Sequence, residues 1–436
     1  MQSVKIGVLG LGTVGSGTVS VLRRNIKEIT RRAGRDIEIT RAADRTLEKE
    51  RDYDVSGIDI TTDAFDIVND PNIHVVVELI GGTGIARDLV LKAIENGKHV
   101  VTANKALIAL HGNELFAKAQ EKGVTIGFEA GVAGGIPIIK AMREGLSANR
   151  IEWLAGIING TGNFILTEMR DKGRDFPEVL AEAQALGYAE ADPTFDVEGI
   201  DAAHKLTIMA SIAFGIPLQF DKAYTEGISQ VSQEDVQYAA ELGYIIKHLG
   251  ISKQTEQGVE LRVHPTLIPH RRLIANVDGV MNAVLVKGDA VGATLYYGAG
   301  AGSEATASAV VADIVDVVRV LTSDPENRVP HLAFQPDALV DTPILPMSEV
   351  VTSYYLRIHT DDEPGVLADI TRILAEQQIS IEAILQKEPE DHNGMVPVIM
   401  LTQAVVEKNM DMAIKHIEAL KTVKDSVMRI RMESLG

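Results

Sequence analysis

Apolar residues follow two spacings along the first third of the chain. Short, continuous apolar runs alternate with longer segments in which apolar residues recur every three or four positions. The first spacing is typical of buried strands and the second of helices with one buried face. This alternation predicts an α/β domain built on a parallel, doubly wound sheet. The predicted strands are Val4–Leu9, Ile37–Ala43, His74–Ile80, His99–Thr102 and Val124–Phe128, and the first predicted helix is Val14–Ile29.

The spacing changes after Pro137. A long helix, apolar on nearly every side, is predicted from Val197 to Phe214, and a proline-rich stretch without periodicity follows later. The last part of the chain has the order βαββαβ, typical of a ferredoxin-like sandwich, and ends with a strand predicted over Val423–Met432. The predicted domains are a doubly wound domain at 1–137 completed by residues 305–325, an α+β domain at 138–304, a linker at 326–352 and a ferredoxin-like domain at 353–436.

Composition excludes several classes of protein. The 436 residues carry a net charge of −19, and no basic run is dense enough to neutralise a nucleic-acid backbone. No apolar run reaches the ~18 residues that a membrane-spanning helix needs. Because the chain has no cysteine, it has no disulfide, no thiolate metal site and no cysteine nucleophile. We therefore expect a cytoplasmic protein that binds neither nucleic acid nor membrane.

A glycine-rich loop follows the first predicted strand. Its sequence, Gly10-Leu11-Gly12-Thr13-Val14-Gly15, matches G-x-G-x-x-G and opens a helix. In this context the glycines let the backbone approach a pyrophosphate, whose charge the helix N-terminus stabilises, whereas the alternative is an ordinary glycine turn. The second strand ends just before Asp44 and Arg45. An acid there binds a ribose 2′-hydroxyl and an arginine binds a 2′-phosphate, so NAD and NADP both stay open, with NADP slightly favoured.

Two lysines and several carboxylates are candidates for catalysis. Asp201 and Lys205, four residues apart, share one face of the long apolar helix. A lysine buried beside carboxylates can give a proton to a developing alkoxide, and the acids of the preceding loop can bind a substrate ammonium group. The alternative is a surface ion pair. Lys105 follows the fourth strand, at the sheet edge where ligands bind, and its alternative is a surface loop residue.

A further glycine-rich stretch lies at Glu129–Pro137. It offers one carboxylate and several backbone carbonyls, which suit a hard cation. The alternative interpretation is that this stretch is a flexible connection between two domains, which would have the same glycine-rich composition.

Taken in order, these motifs resemble those of homoserine dehydrogenase in its long bacterial form with an ACT regulatory domain. The resemblance covers nearly the whole chain. Besides the glycine loop it rests on Thr102-Ala103-Asn104-Lys105, Glu129–Pro137, Asn159-Gly160-Thr161, Gly187-Tyr188-Ala189-Glu190-Ala191-Asp192-Pro193 running to Asp201 and Lys205, and the ACT-like turn Asp362-Glu363-Pro364-Gly365-Val366-Leu367. It implies an N-terminal Rossmann domain, an α+β catalytic and dimerisation domain, and a C-terminal ferredoxin-like ACT domain.

The resemblance also implies a reaction and a set of roles. The reaction is the reversible reduction of L-aspartate 4-semialdehyde to L-homoserine by NADPH or NADH. Lys205 would be the proton donor, Asp201 would orient it, and Lys105 would lie beside substrate and cofactor. The implied substrate-binding residues are Glu190, with Asp196 in support, and Asn159, Gly160 and Thr161.

Further expectations from the resemblance concern cofactor, cation and assembly. Gly302 would line the cofactor site together with the glycine loop and Arg45. A structural sodium ion would be held by Glu129 and the backbone of Val132, Gly134 and Ile136. The family forms homodimers or homotetramers through the middle domain. L-Threonine is the expected ligand of the ACT domain, and deletion from Ser353 onward is expected to leave activity intact.

Two other readings of the sequence are open to test. An acylating semialdehyde dehydrogenase also has a Rossmann domain, but it needs a cysteine nucleophile that this chain lacks. A non-catalytic amino-acid sensor could retain a nucleotide-binding domain. Loss of Lys205 or of the acidic loop would favour the sensor, and both are present.

Overall fold

The computed structural model describes residues 3–47, 51–387 and 395–436, apart from the side chain of residue 326. The chain divides into two compact units, each assembled from three stretches of sequence. The first unit comprises Met1–Gly160, Ala203–Asp221 and Val280–Thr342, and the second comprises Thr161–Ala202, Lys222–Gly279 and Pro343–Gly436. Within the described residues, no helix has both the length and the apolar character needed to cross a bilayer.

The N-terminal part alternates strands and helices as predicted. Its elements are β1 (Val4–Leu9), α1 (Thr13–Arg24), α2 (Ile26–Ala33), β2 (Ile37–Ala43), β3 (Asp59–Thr61), α3 (Phe65–Val68), β4 (Val75–Glu78), α4 (Gly84–Glu95), β5 (His99–Thr102), α5 (Lys105–Glu121) and β6 (Ile126–Gly127). The single helix predicted over Val14–Ile29 was wrong. Asn25 leaves helical geometry and separates α1 from α2, since asparagine favours caps and turns over helix interiors.

The middle part mixes helices with antiparallel strands. Its elements are α6 (Ile138–Lys140), β7 (Ile151–Ile157), α7 (Gly160–Lys172), α8 (Phe176–Ala185), α9 (Thr194–Val197), α10 (Ile200–Phe214), β8 (Tyr224–Thr225), α11 (Gln233–Glu241), β9 (Tyr244–Gln254), β10 (Val259–Pro269), β11 (Met281–Gly288), β12 (Gly292–Ala299) and α12 (Ser303–Val320). The predicted long helix exists as α10, and it begins three residues later than predicted because Gly199, at φ +84°, precedes it.

The C-terminal part has the predicted βαββαβ order with one additional two-residue strand, β16, before its last helix. Its elements are β13 (Val351–Asp361), α13 (Val366–Glu376), β14 (Ile381–Gln386), β15 (Met395–Thr402), β16 (Val405–Val406), α14 (Glu407–Glu418) and β17 (Met428–Met432). The strands lie in the order β17-β13-β15-β14, all antiparallel neighbours. The last strand begins at Met428 and not at Val423. Val423 forms only an isolated bridge with Thr360, and the backbone N–H of Val427 donates to the Glu418 carboxylate (2.9 Å).

The first unit is built on a parallel sheet. Its strand order is β3-β2-β1-β4-β5-β6, and every neighbouring pair is parallel. This is the order of dinucleotide-binding sheets. Helices α1, α2 and α12 bury apolar side chains against β1, β2 and β4 in one core. The unit also contains the antiparallel strands β7, β11 and β12.

The second unit joins the C-terminal strands to the middle part. Strand β17 pairs in parallel with β10 through Thr266 and Leu267, and β10 pairs with β9. One apolar core contains Leu267 from β10 together with Tyr355 and Ile430 from the C-terminal strands. The expectation that residues from Ser353 onward form a removable module therefore conflicts with the packing, because their removal would expose this core.

Candidate active site

The glycine loop joins β1 to α1. Gly10 has φ +97°, and a Cβ there would lie 2.7 Å from the Leu79 carbonyl oxygen. A Cβ on Gly15 would lie 2.0 Å from the Gly10 carbonyl oxygen, whereas one on Gly12 would meet open space. Gly10 and Gly15 are thus required by the close packing of strand, turn and helix. The opening at Gly12 leaves the backbone accessible at the uncapped N-terminus of α1.

A cavity of about 360 Å³ opens beside this loop, at the carboxyl ends of β1 and β2. Gly10, Gly12, Asp44 and Arg45 line it. The Asp44 carboxylate accepts a hydrogen bond from the Thr46 backbone N–H (3.1 Å) and forms an ion pair with Arg51 (3.5 Å). Asp44, the acid that could bind a ribose 2′-hydroxyl, is therefore already bonded to protein groups. Arg51 is paired with it, and Arg45 is its neighbour in sequence.

The N-terminus of α12 lies against the first turn of α1. Gly302, at φ +121°, precedes α12, and Ser303 Oγ donates to the Thr13 carbonyl oxygen (2.8 Å). A Cβ on Gly17 would lie 2.5 Å from Ser303 Oγ, so α1 needs glycine where the two helices meet. Arg24 and Glu304 form an ion pair alongside. Gly302, predicted from the resemblance alone, is thereby placed next to the glycine loop.

Lys105 is held at the start of α5 by a polar network. Asn104 caps the helix by accepting from the Leu107 N–H (3.1 Å), and its amide donates to the Gly82 carbonyl (2.6 Å). The buried Glu78 carboxylate accepts from Thr102 Oγ1 (2.7 Å) and from the Ile80 N–H (2.8 Å). These bonds tie together the carboxyl ends of β4 and β5, so Lys105 projects from a rigid edge.

The Glu129–Pro137 stretch adjoins Lys105. A Cβ on Gly131 would lie 3.8 Å from Lys105 Cα. The buried Glu129 carboxylate accepts the backbone N–H groups of Ile139 (2.9 Å) and Lys140 (2.8 Å). Burial, with the nearby Asp313 carboxylate, raises the pKa of Glu129 to about 7. In the described part of the chain, no group of three His, Asp or Glu side chains forms a metal cluster, so a cation here would rely on carbonyl oxygens.

Lys205 is buried on α10 in the first unit. Its Nζ donates to the Ile158 carbonyl oxygen (2.7 Å), which directly precedes Asn159. Asp201, one turn earlier on α10, is also buried, so the surface-pair alternative does not apply to these two residues. His204 stacks on Phe220 with ring centroids 4.2 Å apart, which is a packing role.

Three predicted substrate residues, Thr161, Glu190 and Asp196, lie in the second unit, whereas Asn159 and Gly160 belong to the first. Thr161 Oγ1 donates to the Tyr188 carbonyl oxygen (2.5 Å), which ties α7 to the segment that ends at Glu190. The Gln184 amide donates to the Glu190 carbonyl oxygen (3.0 Å). The side chain of Glu190 is exposed and Asp196 is half-buried. Thr161 therefore positions this segment through its hydroxyl, a contact that residue type alone did not reveal.

Sequence reasoning missed several residues of these networks. Glu78, Asn104 and Ser303 all support the edge of the parallel sheet through hydrogen bonds. A signal existed for Glu78, since a carboxylate at the end of a strand of three valines must find a partner when buried. Ser303 lies 290 residues from its partner Thr13 in the sequence, and no local sequence pattern predicts a contact over that separation.

Comparisons with known proteins agree with this arrangement. The NAD-binding domain model of homoserine dehydrogenase matches residues 10–129, the homoserine dehydrogenase model matches residues 137–315, and the ACT domain model matches residues 354–417. Homoserine dehydrogenase of Pseudomonas aeruginosa is 69% identical over 436 residues, covering 100% of both chains. The crystal structure of a homoserine dehydrogenase from Thiobacillus denitrificans has a TM-score of 0.96 and 68% identity, covering 100% of this chain and 99% of that one. A hyperthermophilic archaeal homoserine dehydrogenase, solved in complex with NADPH, is 25% identical with a TM-score of 0.62, covering 72% of this chain and 98% of that one.

The parallel sheet, its glycine loop and the C-terminal ACT domain define an NAD(P)-dependent oxidoreductase with a regulatory-type domain. The chain belongs to the homoserine dehydrogenase family. The resemblance stated from the sequence is thus confirmed, and the non-catalytic sensor is not favoured.

Proposed function

We propose that Lys205 is the proton donor of this homoserine dehydrogenase. A bound nicotinamide cofactor supplies the hydride to the carbonyl carbon of L-aspartate 4-semialdehyde. Lys205 gives a proton to the carbonyl oxygen, which becomes the hydroxyl of L-homoserine, and takes it back in the reverse direction. The supporting observation is that Lys205 is buried and held by the Ile158 carbonyl, directly before the Asn159-Gly160-Thr161 motif. Asp201 orients Lys205 from one turn earlier on the same helix.

The other substrate roles follow the same proposal. Glu190 binds the substrate ammonium group with Asp196 in support, and Lys105 lies beside substrate and cofactor. Asn159, Gly160 and Thr161 shape the substrate site, Thr161 by holding the Glu190 segment at Tyr188. Support comes from Asn104 and Glu78, which fix Lys105 at the carboxyl edge of the sheet, where ligands of such sheets bind.

The glycine loop Gly10-Leu11-Gly12-Thr13-Val14-Gly15, Arg45 and Gly302 are proposed to bind the cofactor. NADP is the preferred form in this proposal, because Asp44 is engaged by Arg51 while Arg45 lines the cavity. The NADPH complex of the archaeal relative supports the same choice.

We also propose a structural sodium ion at Glu129 and the carbonyls of Val132, Gly134 and Ile136. Among the backbone hydrogen bonds of residues 3–47, 51–387 and 395–436, none is accepted by the Val132 or Gly134 carbonyl. The Ile136 carbonyl accepts from the Ile138 N–H (2.8 Å). A buried carboxylate and backbone carbonyls from one short segment are the kind of oxygen ligands that a hard cation prefers. Exchange into tetramethylammonium buffer is expected to lower the melting temperature and added sodium to restore it. An unchanged melting temperature would contradict the site.

The domain bounds 1–137 (completed by 305–325), 138–304, 326–352 and 353–436 remain part of this proposal. So do a homodimer or homotetramer, a cytoplasmic location and L-threonine as the ACT ligand.

The test of the catalytic proposal follows absorbance of the reduced nicotinamide band with L-homoserine and NADP⁺ or NAD⁺. Lys205→Ala is expected to lower kcat at least about a hundredfold, the scale of a general acid, with cofactor affinity unchanged. Lys118→Ala, which removes an exposed lysine paired with Glu121, is the control and is expected to keep normal turnover. Normal turnover in Lys205→Ala would remove the assigned role.

A further inference from the structure

Asn282 is a buried polar residue to which the proposed function gives no role. It is the second residue of β11 and is only 1% exposed. In the described part of the chain, no protein group donates a hydrogen bond to its amide oxygen, Oδ1. A buried acceptor without a donor is costly and rare in folded proteins, so this oxygen requires an explanation.

The Asn282 amide lies between two segments that carry proposed site residues. A Cβ on Gly160, in the proposed substrate motif, would lie 3.7 Å from Asn282 Oδ1 and 2.8 Å from the Val280 carbonyl oxygen. A Cβ on Gly300 would overlap the Asn282 amide group itself. Gly300 is two residues before Gly302, which is proposed to line the cofactor site. Asn282 therefore lies beside both segments, and each has a glycine at the point of closest approach.

The first of these segments also holds the proposed proton donor. Lys205 Nζ donates to the Ile158 carbonyl oxygen (2.7 Å). Ile157, the residue before it, pairs across the strands with Ala283 of β11, the neighbour of Asn282. The strand that carries Asn282 therefore also fixes the backbone to which Lys205 is bonded.

The second segment is the loop at 299–302, between β12 and α12. The Ala299 carbonyl accepts from the Gly135 N–H (2.9 Å), so one end of this loop is fixed. Among the backbone hydrogen bonds of loops and turns in the described residues, none is donated by the N–H of Gly300 or Ala301. Because the Gly300 backbone already packs against the Asn282 amide, a small movement of the loop would bring such a donor to Oδ1.

We propose that Asn282 is a positioning residue for hydride transfer. When the cofactor binds against the loop at 299–302, a backbone N–H of this loop donates to Asn282 Oδ1, and the bond fixes the loop relative to Gly160 and Lys205. Hydride transfer requires the nicotinamide to lie where the cofactor and substrate sites meet, and Asn282 lies between residues assigned to each site. This inference rests on the proposed function.

The test replaces Asn282 with alanine and, separately, with leucine, which keeps the branched shape of the side chain. Thermal unfolding is measured without cofactor, and NADPH affinity is measured by fluorescence titration. Because Oδ1 has no protein donor to lose, both variants are expected to melt close to the wild type. Both are expected to bind NADPH about tenfold more weakly, the scale of one hydrogen bond, and to raise the KM for NADP⁺ but not that for L-homoserine.

Asn163→Ala is the matched control. Asn163 is also 1% exposed, but its amide donates to the Val277 and Gly279 carbonyls (both 2.9 Å). This variant is expected to lower the melting temperature and to leave NADPH affinity unchanged. If the Asn282 variants lost stability as Asn163→Ala does, or if they kept wild-type affinity for NADPH, the proposal would be overturned.

The contact between Asn282 and the loop is tested by Gly300→Ala in two backgrounds. In the wild type the added methyl group would overlap the Asn282 amide, so NADPH affinity is expected to fall. In Asn282→Ala the same substitution is expected to cost less affinity. Equal losses in the two backgrounds would contradict the proposal, because residues in contact should not act independently.

Failure of the proposed function is recognised by a different measurement. Wild-type protein that does not reduce NADP⁺ in the presence of L-homoserine would reject the proposed function. The inference about Asn282 is decided by NADPH binding and thermal unfolding, neither of which requires turnover.

Discussion

Several buried charged residues in the described part of this protein have specific hydrogen-bonding partners. Glu78 accepts from Thr102, Lys205 donates to the Ile158 carbonyl, and Arg431 binds Glu407 and Glu226. Lys247 is buried as well and donates to Asn163 Oδ1 (3.2 Å) and the Val277 carbonyl (2.7 Å), with Asp278 Oδ1 3.0 Å away. Because an unpaired buried charge costs several kcal/mol, these partners constrain the local structure strongly.

Lys247 leads to a prediction about pH. Burial lowers the pKa of its ammonium group to about 8, from an ordinary value of 10.5. Between these pH values the unfolded chain holds a proton that the folded chain has lost, so this group adds stability as pH rises from about 8 to about 10.5. The free energy of unfolding of the wild type is expected to gain about 3 kcal/mol relative to Lys247→Met over that range.

Urea unfolding at pH 7.5 and pH 10 measures this difference. Lys253→Met, an exposed position on the same strand, is the control and is expected to show no such pH dependence. A wild-type advantage that is constant with pH would contradict the assignment to Lys247.

Arg45 leads to a prediction about cofactor choice. If it faces a 2′-phosphate, Arg45→Ala is expected to lower kcat/KM with NADP⁺ by about tenfold or more and to leave kcat/KM with NAD⁺ nearly unchanged, since one charge-assisted contact is lost. Arg31→Ala, on the exposed side of α2, serves as the comparison. An unchanged ratio of the two kcat/KM values would place the 2′-phosphate elsewhere.

At the scale of elements, the strand–loop–helix unit at the N-terminus depends on two different uses of glycine. Gly15 allows α1 to approach the Gly10 carbonyl, and Gly12 leaves open space above the helix N-terminus. Gly15 is needed for the packing of α1, whereas Gly12 is the position that we propose lies against the cofactor.

These two glycines provide a matched pair of variants. Gly15→Ala is expected to lower the melting temperature markedly, because its Cβ would lie 2.0 Å from a backbone oxygen. Gly12→Ala is expected to keep the melting temperature and to weaken cofactor binding. Thermal unfolding and fluorescence titration with NADPH distinguish the outcomes, and tight NADPH binding by Gly12→Ala would show that the pyrophosphate does not lie there.

At the scale of the whole molecule, the C-terminal ACT domain is part of a shared core. Arg357 and Tyr355 of β13 both bind the buried Asp235 carboxylate on α11, at 2.7 Å and 3.1 Å. Deletion of 353–436 would remove both of these contacts, leaving the Asp235 carboxylate only its bonds from Ser232, and would uncover Leu267 of β10.

We therefore expect the truncated chain to lose its cooperative thermal transition, contrary to the expectation from the sequence. Arg431→Met is a milder test, since breaking a buried ion pair costs about 3–5 kcal/mol. Arg372→Met removes an arginine from an exposed pair with Asp369 and is expected to have little effect. A truncated protein that melts like the wild type would show that the domain is separable after all.

The sequence alone determined the order of domains, the glycine loop and the family, because these depend on local periodicity and on ordered motifs. The alternation predicted a parallel sheet but not its strand order β3-β2-β1-β4-β5-β6, which is one of the few arrangements that parallel strands joined by helices permit. Strands β9 and β12 were missed: β9 interleaves Lys247, His248 and Ser252 with its apolar residues, and β12 contains two glycines and only half-buried or exposed side chains.

Only the tertiary structure decided which partner each buried charge has and where the ACT domain is attached. The contacts of Arg431 with Glu226 and of Ser303 with Thr13 join residues more than 200 positions apart. Local sequence patterns do not predict such pairings, because the pairings form only when elements distant in sequence pack in one core. Their energy depends on burial, and burial is a property of the folded chain.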